Sequence, residues 1–163
     1  MNTKDLEKQV EALITEHQQI IYKVCYMYAT DDYTFDELYQ ESVINLWKGY
    51  ANFREESKAS TWIYRIAMNT CISYFRKSSS RPQTVPLSFD LEAMLMDDKE
   101  SSYYLQELYR MISKLGKMER ALILLWLDER SYQEISDILG ISLTNVGTRL
   151  NRVKEKLKEM SNN

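Results

Sequence analysis

The stretch SYQEISDILGISLTNVGTRLNRVKEKLKEM, residues 131–160, constrains the fold more than any other part of the chain. Ser131 is followed three residues later by Glu134, and this capping box marks the start of a helix. Gly140 suits the left-handed conformation that ends a helix, and Ser142 can cap the helix that follows. The pattern predicts a short helix, a sharp turn and a longer second helix.

The second of these helices has two different faces. At about 100° per residue, one side carries only apolar residues, which are Val146, Leu150, Val153 and Leu157. The opposite side carries short polar residues, which are Thr144, Thr148 and Asn151. A packed stripe behind hydrogen-bonding side chains is typical of a recognition helix in the major groove of DNA. A solvated amphipathic helix is the alternative, because basic residues also favour helix C-termini.

The rest of the chain predicts an all-α fold. Four glycines and two prolines in 163 residues favour long helices over turn-rich β structure. Apolar residues recur at helical spacing over residues 4–29, as one long helix or as two with a bend near His17. A second helix is predicted after a cap at Thr34, and a third from about 60 to 77. No segment has a convincing strand pattern.

The helical pattern stops in the middle of the chain. Residues 77–90, KSSSRPQTVPLSFD, hold a serine run and both prolines, which is typical of a linker. Helical spacing then resumes near Ser101. We therefore predict two small helical domains, 1–77 and 101–163, joined by a flexible linker over 78–100.

Two features indicate a cytoplasmic protein. Cys25 and Cys71 each lie on an apolar helical stripe, so we expect reduced core residues rather than a disulfide. The chain has no run of 18 apolar residues, and residues 1–8 are charged. We therefore expect neither a secretion signal nor insertion into a membrane.

The charges of the chain are segregated, although its net charge is only −3. Residues 65–81 contain four basic residues and no acidic one, and residues 147–158 contain five basic residues and one acidic one. Between them, residues 86–100 hold five acidic residues and one lysine. Local patches, rather than the total charge, attract a polyanion, so the two basic blocks favour nucleic-acid binding.

Two long segments resemble the second and fourth domains of extracytoplasmic-function (group IV) sigma factors. Residues 34–77 carry DELYQE, STWIYRIAMN and YFRK, and residues 104–158 carry SYQEISDILGIS and NVGTRLNRVKEKL. The resemblance implies a promoter-specific initiation factor that binds core RNA polymerase. Such a factor directs the polymerase to −35 and −10 promoter elements and assists DNA melting. The resemblance also implies control by an anti-sigma factor.

The resemblance assigns residues to three surfaces. The residues expected at the −35 element are Thr144, Asn145, Thr148, Arg149, Asn151, Arg152 and Lys154. The residues expected at the −10 element are Lys58, Ser60, Thr61, Arg65, Asn69, Arg76 and Lys77. The residues expected to dock on core polymerase are Glu37, Leu38, Gln40 and Glu41. Two positions depart from the family, since Ala59 replaces a frequent aromatic residue and Gly147 a frequent basic one.

The three tryptophans of the chain are expected in two kinds of position. We expect Trp47 and Trp126 in the core, and Trp62 either in the core or as a surface on which a base stacks.

A regulator of the two-component or quorum-sensing type has a similar DNA reader, but should carry an α/β receiver or a ligand pocket upstream. A helical adaptor that binds only protein is a third possibility. An enzyme is not expected, because the chain has one histidine, no glycine-rich phosphate loop and no CxxC motif. We expect neither a cofactor nor a metal ion.

Overall fold

The computed structural model describes residues 2–53, 58–77 and 99–162, and the regular elements within these ranges are all helical. The chain divides into two compact units, Met1–Gln83 and Thr84–Asn163. The predicted all-α fold is therefore confirmed. The predicted linker falls almost entirely outside the described residues, so its flexibility and its boundaries stay predictions. Within the described ranges, no helix combines the length and the apolar character that crossing a membrane requires.

The described part of the N-terminal unit contains four α-helices. They are α1 (Thr3–Glu16), α2 (Gln18–Tyr28), α3 (Phe35–Gly49) and α4 (Ala59–Lys77). A short 3-10 helix, Tyr50–Asn52, follows α3. The backbone at His17 leaves helical geometry (φ −110°, ψ 23°), so α1 and α2 are separate, and the two-helix alternative of the sequence prediction is the one that the structure adopts. Both α2 and α3 pack against α4, and α1 contacts α3.

The core of the N-terminal unit lies where α2, α3 and α4 meet. The Sγ atoms of Cys25 and Cys71 are 3.8 Å apart, and the Cys25 Sγ is also 3.8 Å from the Ser42 hydroxyl. Both cysteines are buried and free, which confirms the prediction of reduced core residues. Burial raises the pKa of the Cys71 thiol well above its usual value, so this group stays protonated in the core.

The described part of the C-terminal unit also contains four α-helices. They are α5 (Lys99–Ile112), α6 (Lys117–Leu127), α7 (Tyr132–Leu139) and α8 (Leu143–Ser161). The long helix α8 packs against α5, α6 and α7. Its apolar stripe meets the buried side chains of those helices, among which are Ile112, Leu122, Leu125, Ile135 and Ile138. Helix α8 therefore contacts each of the other three helices in the described part of this unit.

A buried arginine that the sequence pattern did not indicate closes the end of α5. Arg120, on α6, is almost fully buried. Its Nε donates to the backbone carbonyl of Leu115 at 2.9 Å, and an Nη donates to the carbonyl of Ser113. The last carbonyls of a helix lack partners within the helix, and a cation there also matches the helix dipole. Arg120 therefore supplies donors to the carbonyls of half-buried Ser113 and buried Leu115, which follow the last residue of α5.

Candidate nucleic-acid and polymerase interfaces

The turn between α7 and α8 is fixed by local hydrogen bonds. The Ser131 hydroxyl accepts from the Glu134 amide at 3.1 Å, and the Glu134 carboxylate accepts from the Ser131 amide at 3.4 Å. Gly140 has φ 70° and donates its amide to the Ser136 carbonyl at 2.8 Å. Ser142 then caps α8 by accepting from the Asn145 amide at 3.2 Å. The capping box, the glycine turn and the serine cap follow the sequence prediction.

Helix α8 turns its predicted apolar stripe inward and its polar stripe outward. Val146, Leu150 and Val153 are fully buried against the neighbouring helices, and Leu157 is half-buried. The side chains predicted to contact DNA and found exposed are Thr144, Asn145, Thr148, Arg149, Asn151 and Arg152. The exposed side of α8 thus presents hydroxyl, amide and guanidinium groups together. These are the groups that pair with base edges and phosphates.

The remaining predicted DNA contact, Lys154, is half-buried and has a partner within the unit. Its Nζ lies 4.2 Å from the centroid of the Trp126 ring, which is a cation–π contact. Trp126 is 39% exposed, so its predicted place in the core is wrong. The neighbouring lysine Lys156 instead pairs with Glu119 at 3.2 Å. These two lysines connect α8 to opposite ends of α6.

Gly147 lies on the same flank of α8 as Lys154 and faces a tyrosine. A Cβ placed on Gly147 would lie 3.6 Å from a ring carbon of Tyr132, which is ordinary van der Waals contact. The glycine is therefore not required by close packing. Because residue 147 is glycine, this flank of the predicted recognition helix has one side chain fewer.

The predicted −10 residues lie within α4, except for Lys58, which comes just before this helix. Lys58, Asn69, Arg76 and Lys77 are exposed, and Ser60 and Arg65 are half-buried. Thr61 is only 4% exposed, so its predicted contact with DNA is corrected to a buried position within α4. Trp62 is buried as well and contacts Phe53, with 4.7 Å between the ring centroids. Of the two roles considered for Trp62, the core role is therefore confirmed.

A groove of about 360 Å³ runs between α3 and α4 and contains two of the predicted −10 residues. Its lining residues are Glu41, Asn45, Ile66, Asn69, Thr70, Ser73, Tyr74 and Lys77. Partial desolvation and a hydrogen bond to the Glu41 carboxylate raise the pKa of the Tyr74 phenol. Asn45 donates to the Thr70 hydroxyl at 2.9 Å, which fixes the floor of the groove. The groove thus combines an aromatic ring, amides and a cation with the carboxylate of Glu41.

The predicted polymerase-docking residues begin just after the cap of α3. The Thr34 hydroxyl accepts from the Glu37 amide at 3.4 Å. Glu37 and Gln40 are exposed, and Glu41 is half-buried beside Tyr74. Leu38 is 1% exposed, so its predicted docking role is wrong and it belongs to the core. The reason is helical phase, since Leu38 lies on the inward stripe with Ser42 and Leu46.

Two apolar residues extend the exposed side of α3 beyond the predicted residues. Ile44 is 43% exposed and Trp47 is 40% exposed, so the predicted core position of Trp47 is wrong. At 100° per residue, both lie on the side of α3 that carries Glu37 and Gln40. Their spacing could have indicated this, because neither residue shares the phase of Leu38. The exposed side therefore has a polar N-terminal half and an apolar C-terminal half.

Comparisons with known proteins agree with this two-unit arrangement. The family model of sigma-70 region 2 matches residues 13–81, and that of sigma-70 region 4 matches residues 105–157. The RNA polymerase sigma factor YlaC of Bacillus subtilis is 30% identical over 159 residues, covering 92% of this chain and 90% of the relative. SigW, an extracytoplasmic-function sigma factor of the same organism, is 28% identical and covers 90% of this chain and 86% of the relative.

Two solved structures share the fold. CnrH, solved in complex with the cytosolic domain of CnrY, has a TM-score of 0.68 at 17% identity, covering 96% of this chain and 89% of that one. RpoE of Bartonella quintana, solved with the anti-sigma factor NepR, has a TM-score of 0.69 at 17% identity, covering 98% of each chain. With both sigma regions matched in order, the chain belongs to the extracytoplasmic-function sigma factors of the sigma-70 family.

Proposed function

We propose that this sigma factor uses three surfaces to start transcription. The exposed side of α3 docks on core RNA polymerase, α8 binds the −35 element as duplex, and α4 binds the −10 element as it opens. The observation that carries the proposal is the two-sided character of α8, with its buried apolar stripe and its exposed polar stripe on a helix-turn-helix. A two-component or quorum-sensing regulator is not favoured, because both parts of the chain match sigma regions.

At the −35 element, we assign different roles to the face and to the flanks of α8. Thr148, Asn151 and Arg152 contact base edges, because they lie opposite the buried stripe. Thr144 and Asn145 lie at the groove entrance, near the helix N-terminus. Arg149 and Lys154 contact phosphates from the flanks. Asparagine and arginine make bidentate pairs with adenine and guanine, whereas phosphate contacts position the protein without reading sequence.

At the −10 element, the groove between α3 and α4 supplies what an unpaired base requires. Asn69 and Lys77 line this groove together with the Tyr74 ring. Single-stranded nucleic acid binds where aromatic faces, polar walls and cations occur together. The other predicted contacts of this region are Lys58, Ser60, Arg65 and Arg76. Thr61 is left out because it is buried.

For docking on the polymerase, we propose an interface that combines Glu37, Gln40 and the half-buried Glu41 with Ile44 and Trp47. Exposed tryptophans that become buried in an interface often dominate its binding energy, whereas charged residues at the rim govern encounter and orientation. A partner helix with an apolar stretch and a basic end would match this side of α3.

We also propose that an anti-sigma factor controls this chain in the cytoplasm. The proposal rests on the resemblance and on the two solved neighbours, since CnrH was solved with the cytosolic domain of CnrY and the sigma factor RpoE with the anti-sigma factor NepR. Purification of the tagged chain from its host, followed by mass spectrometry, should recover such a protein. If none is recovered under any growth condition, the result points instead to control through synthesis of the sigma factor or through intrinsic autoinhibition.

Transcription in vitro tests the central proposal. The purified chain with core polymerase should start specific transcripts from a subset of genomic fragments, and neither component should do so alone. A gel shift with and without core polymerase separates the alternatives. A regulator binds DNA without polymerase, whereas an adaptor adds no promoter preference to it. If no fragment of the host genome supports a specific transcript, the proposal is rejected.

A further inference from the structure

Trp126 lies outside the fully buried core of the C-terminal unit, although it is a large apolar side chain. It lies at the end of α6, 39% exposed, and its ring faces the ammonium group of Lys154 at 4.2 Å. Lys154 is half-buried, since its position over the ring removes part of the side chain from solvent. The pair therefore restrains a lysine that would otherwise sample many rotamers at the surface.

The restrained lysine lies beside the proposed base-reading face. Lys154 is seven residues, or about two turns, beyond Gly147 and on the same flank of α8, next to the side that carries Thr148 and Asn151. The flanks of a recognition helix run beside the phosphate strands when the helix enters the major groove. An ammonium group has three N–H donors, and a ring occupies only one side of it. Donors therefore remain for a phosphate oxygen.

We propose that Trp126 is a positioning residue that holds Lys154 ready for a phosphate of the −35 element. This inference rests on the proposed binding of α8 to that element. A freely rotating lysine loses most of its rotamer freedom when it is fixed on a phosphate. Restraint before binding reduces that loss, which is the general benefit of preorganisation. Trp126 thus strengthens DNA binding through another residue and does not contact a base.

Four full-length variants, each combined with core polymerase, test this inference. Lys154→Met keeps the stem and removes the charge, Trp126→Leu keeps apolar bulk and removes the ring, and the double variant combines both changes. Trp126→Phe restores an aromatic face. The measurement is the affinity of each holoenzyme for a labelled fragment of a promoter that the wild type transcribes, by fluorescence anisotropy over a series of KCl concentrations.

We expect Lys154→Met to lower affinity about 3- to 10-fold and to reduce the slope of log affinity against log salt by about one. Trp126→Leu should cause a smaller loss, and Trp126→Phe should recover most of it. The decisive result is the double variant, which should bind no more weakly than Lys154→Met alone. If Trp126→Leu weakens binding equally in both backgrounds, Trp126 acts only on stability and the inference is overturned.

Lys156→Met is the matched control, because it removes a charge from the same helix where Glu119 rather than a ring holds the lysine. When Lys156→Met is combined with Trp126→Leu, the two fold-losses in affinity for promoter DNA should multiply, since the proposal includes no contact between these two residues. If Lys154→Met itself leaves affinity and salt slope unchanged, Lys154 is no phosphate contact and the inference falls. Promoter-specific transcription by the wild type would stand in that case, so the two failures are distinguishable.

Discussion

Replacing Arg120 tests how far one buried side chain stabilises the C-terminal unit. Arg120→Met retains an apolar stem of similar length but removes the donors that reach the carbonyls of Leu115 and Ser113. Hydrogen bonds that involve a charged group contribute about 1.5–3 kcal/mol each, and a buried carbonyl left without a donor costs about 1–3 kcal/mol. Since methionine recovers some apolar burial, we expect a net loss of about 3 kcal/mol in the free energy of unfolding.

A unit of this size loses roughly 4–8 °C in melting temperature for each kcal/mol, so the shift should be roughly 12–24 °C. Circular dichroism during heating measures it, and the transition of the N-terminal unit serves as an internal reference. Arg110→Met is the matched control, because Arg110 is exposed and pairs with Glu107 on its own helix. Exposed pairs of this kind contribute little. If the two substitutions lower the melting temperature equally, the carbonyl contacts of Arg120 do not stabilise the unit as argued.

Three further predictions concern residues of α3 and α8. Trp47→Ala should weaken binding to core polymerase about tenfold or more, as loss of a buried interface tryptophan does, and unchanged affinity would remove Trp47 from the interface. Asn151→Ala should cost about 1–3 kcal/mol and relax one or two positions of a selected −35 library, whereas Arg149→Ala should weaken all sequences alike. An unchanged selection with Asn151→Ala would contradict the assigned face. Gly147→Ala should stabilise the C-terminal unit by up to about 1 kcal/mol in thermal unfolding, because its Cβ meets a ring at 3.6 Å, and a lower melting temperature would show that the ring cannot adjust.

The helix ends could be predicted because they depend on nearby residues. The caps at Thr34, Ser131 and Ser142 each use a side chain that accepts from an amide three residues further along the chain. At the turn, the backbone amide of Gly140 donates to a carbonyl four residues earlier. The apolar stripe of α8 was also predictable, since one period of 3.6 residues ran through it without interruption. For these features, the local sequence holds nearly all the relevant information.

The burial or exposure of Trp47, Trp126 and Leu38 became clear only from the tertiary structure. A tryptophan at helical spacing with apolar neighbours lies at the boundary of the stripe, and only the packing partner decides whether that boundary is covered. Leu38 was assigned to docking because it falls within the resemblance, although its phase pointed inward. Arg120 was missed for a related reason, since its partners are backbone carbonyls at the end of another helix. The spacing of side chains in a sequence does not indicate which backbone carbonyls of another segment will need a donor.

The division of α8 into two stripes separates stability from promoter choice. Val146, Leu150 and Val153 are fixed by three neighbouring helices, so truncation of Leu150 to alanine should cost about 2–5 kcal/mol and disturb the whole unit. Thr148 and Asn151 are exposed, and substitutions at such positions usually change stability by less than about 0.5 kcal/mol. The side chains proposed to read bases can therefore change without loss of the fold that positions them. Under the proposed role of α8, a departure from the family pattern on this side should alter which promoters are bound, rather than whether the unit folds.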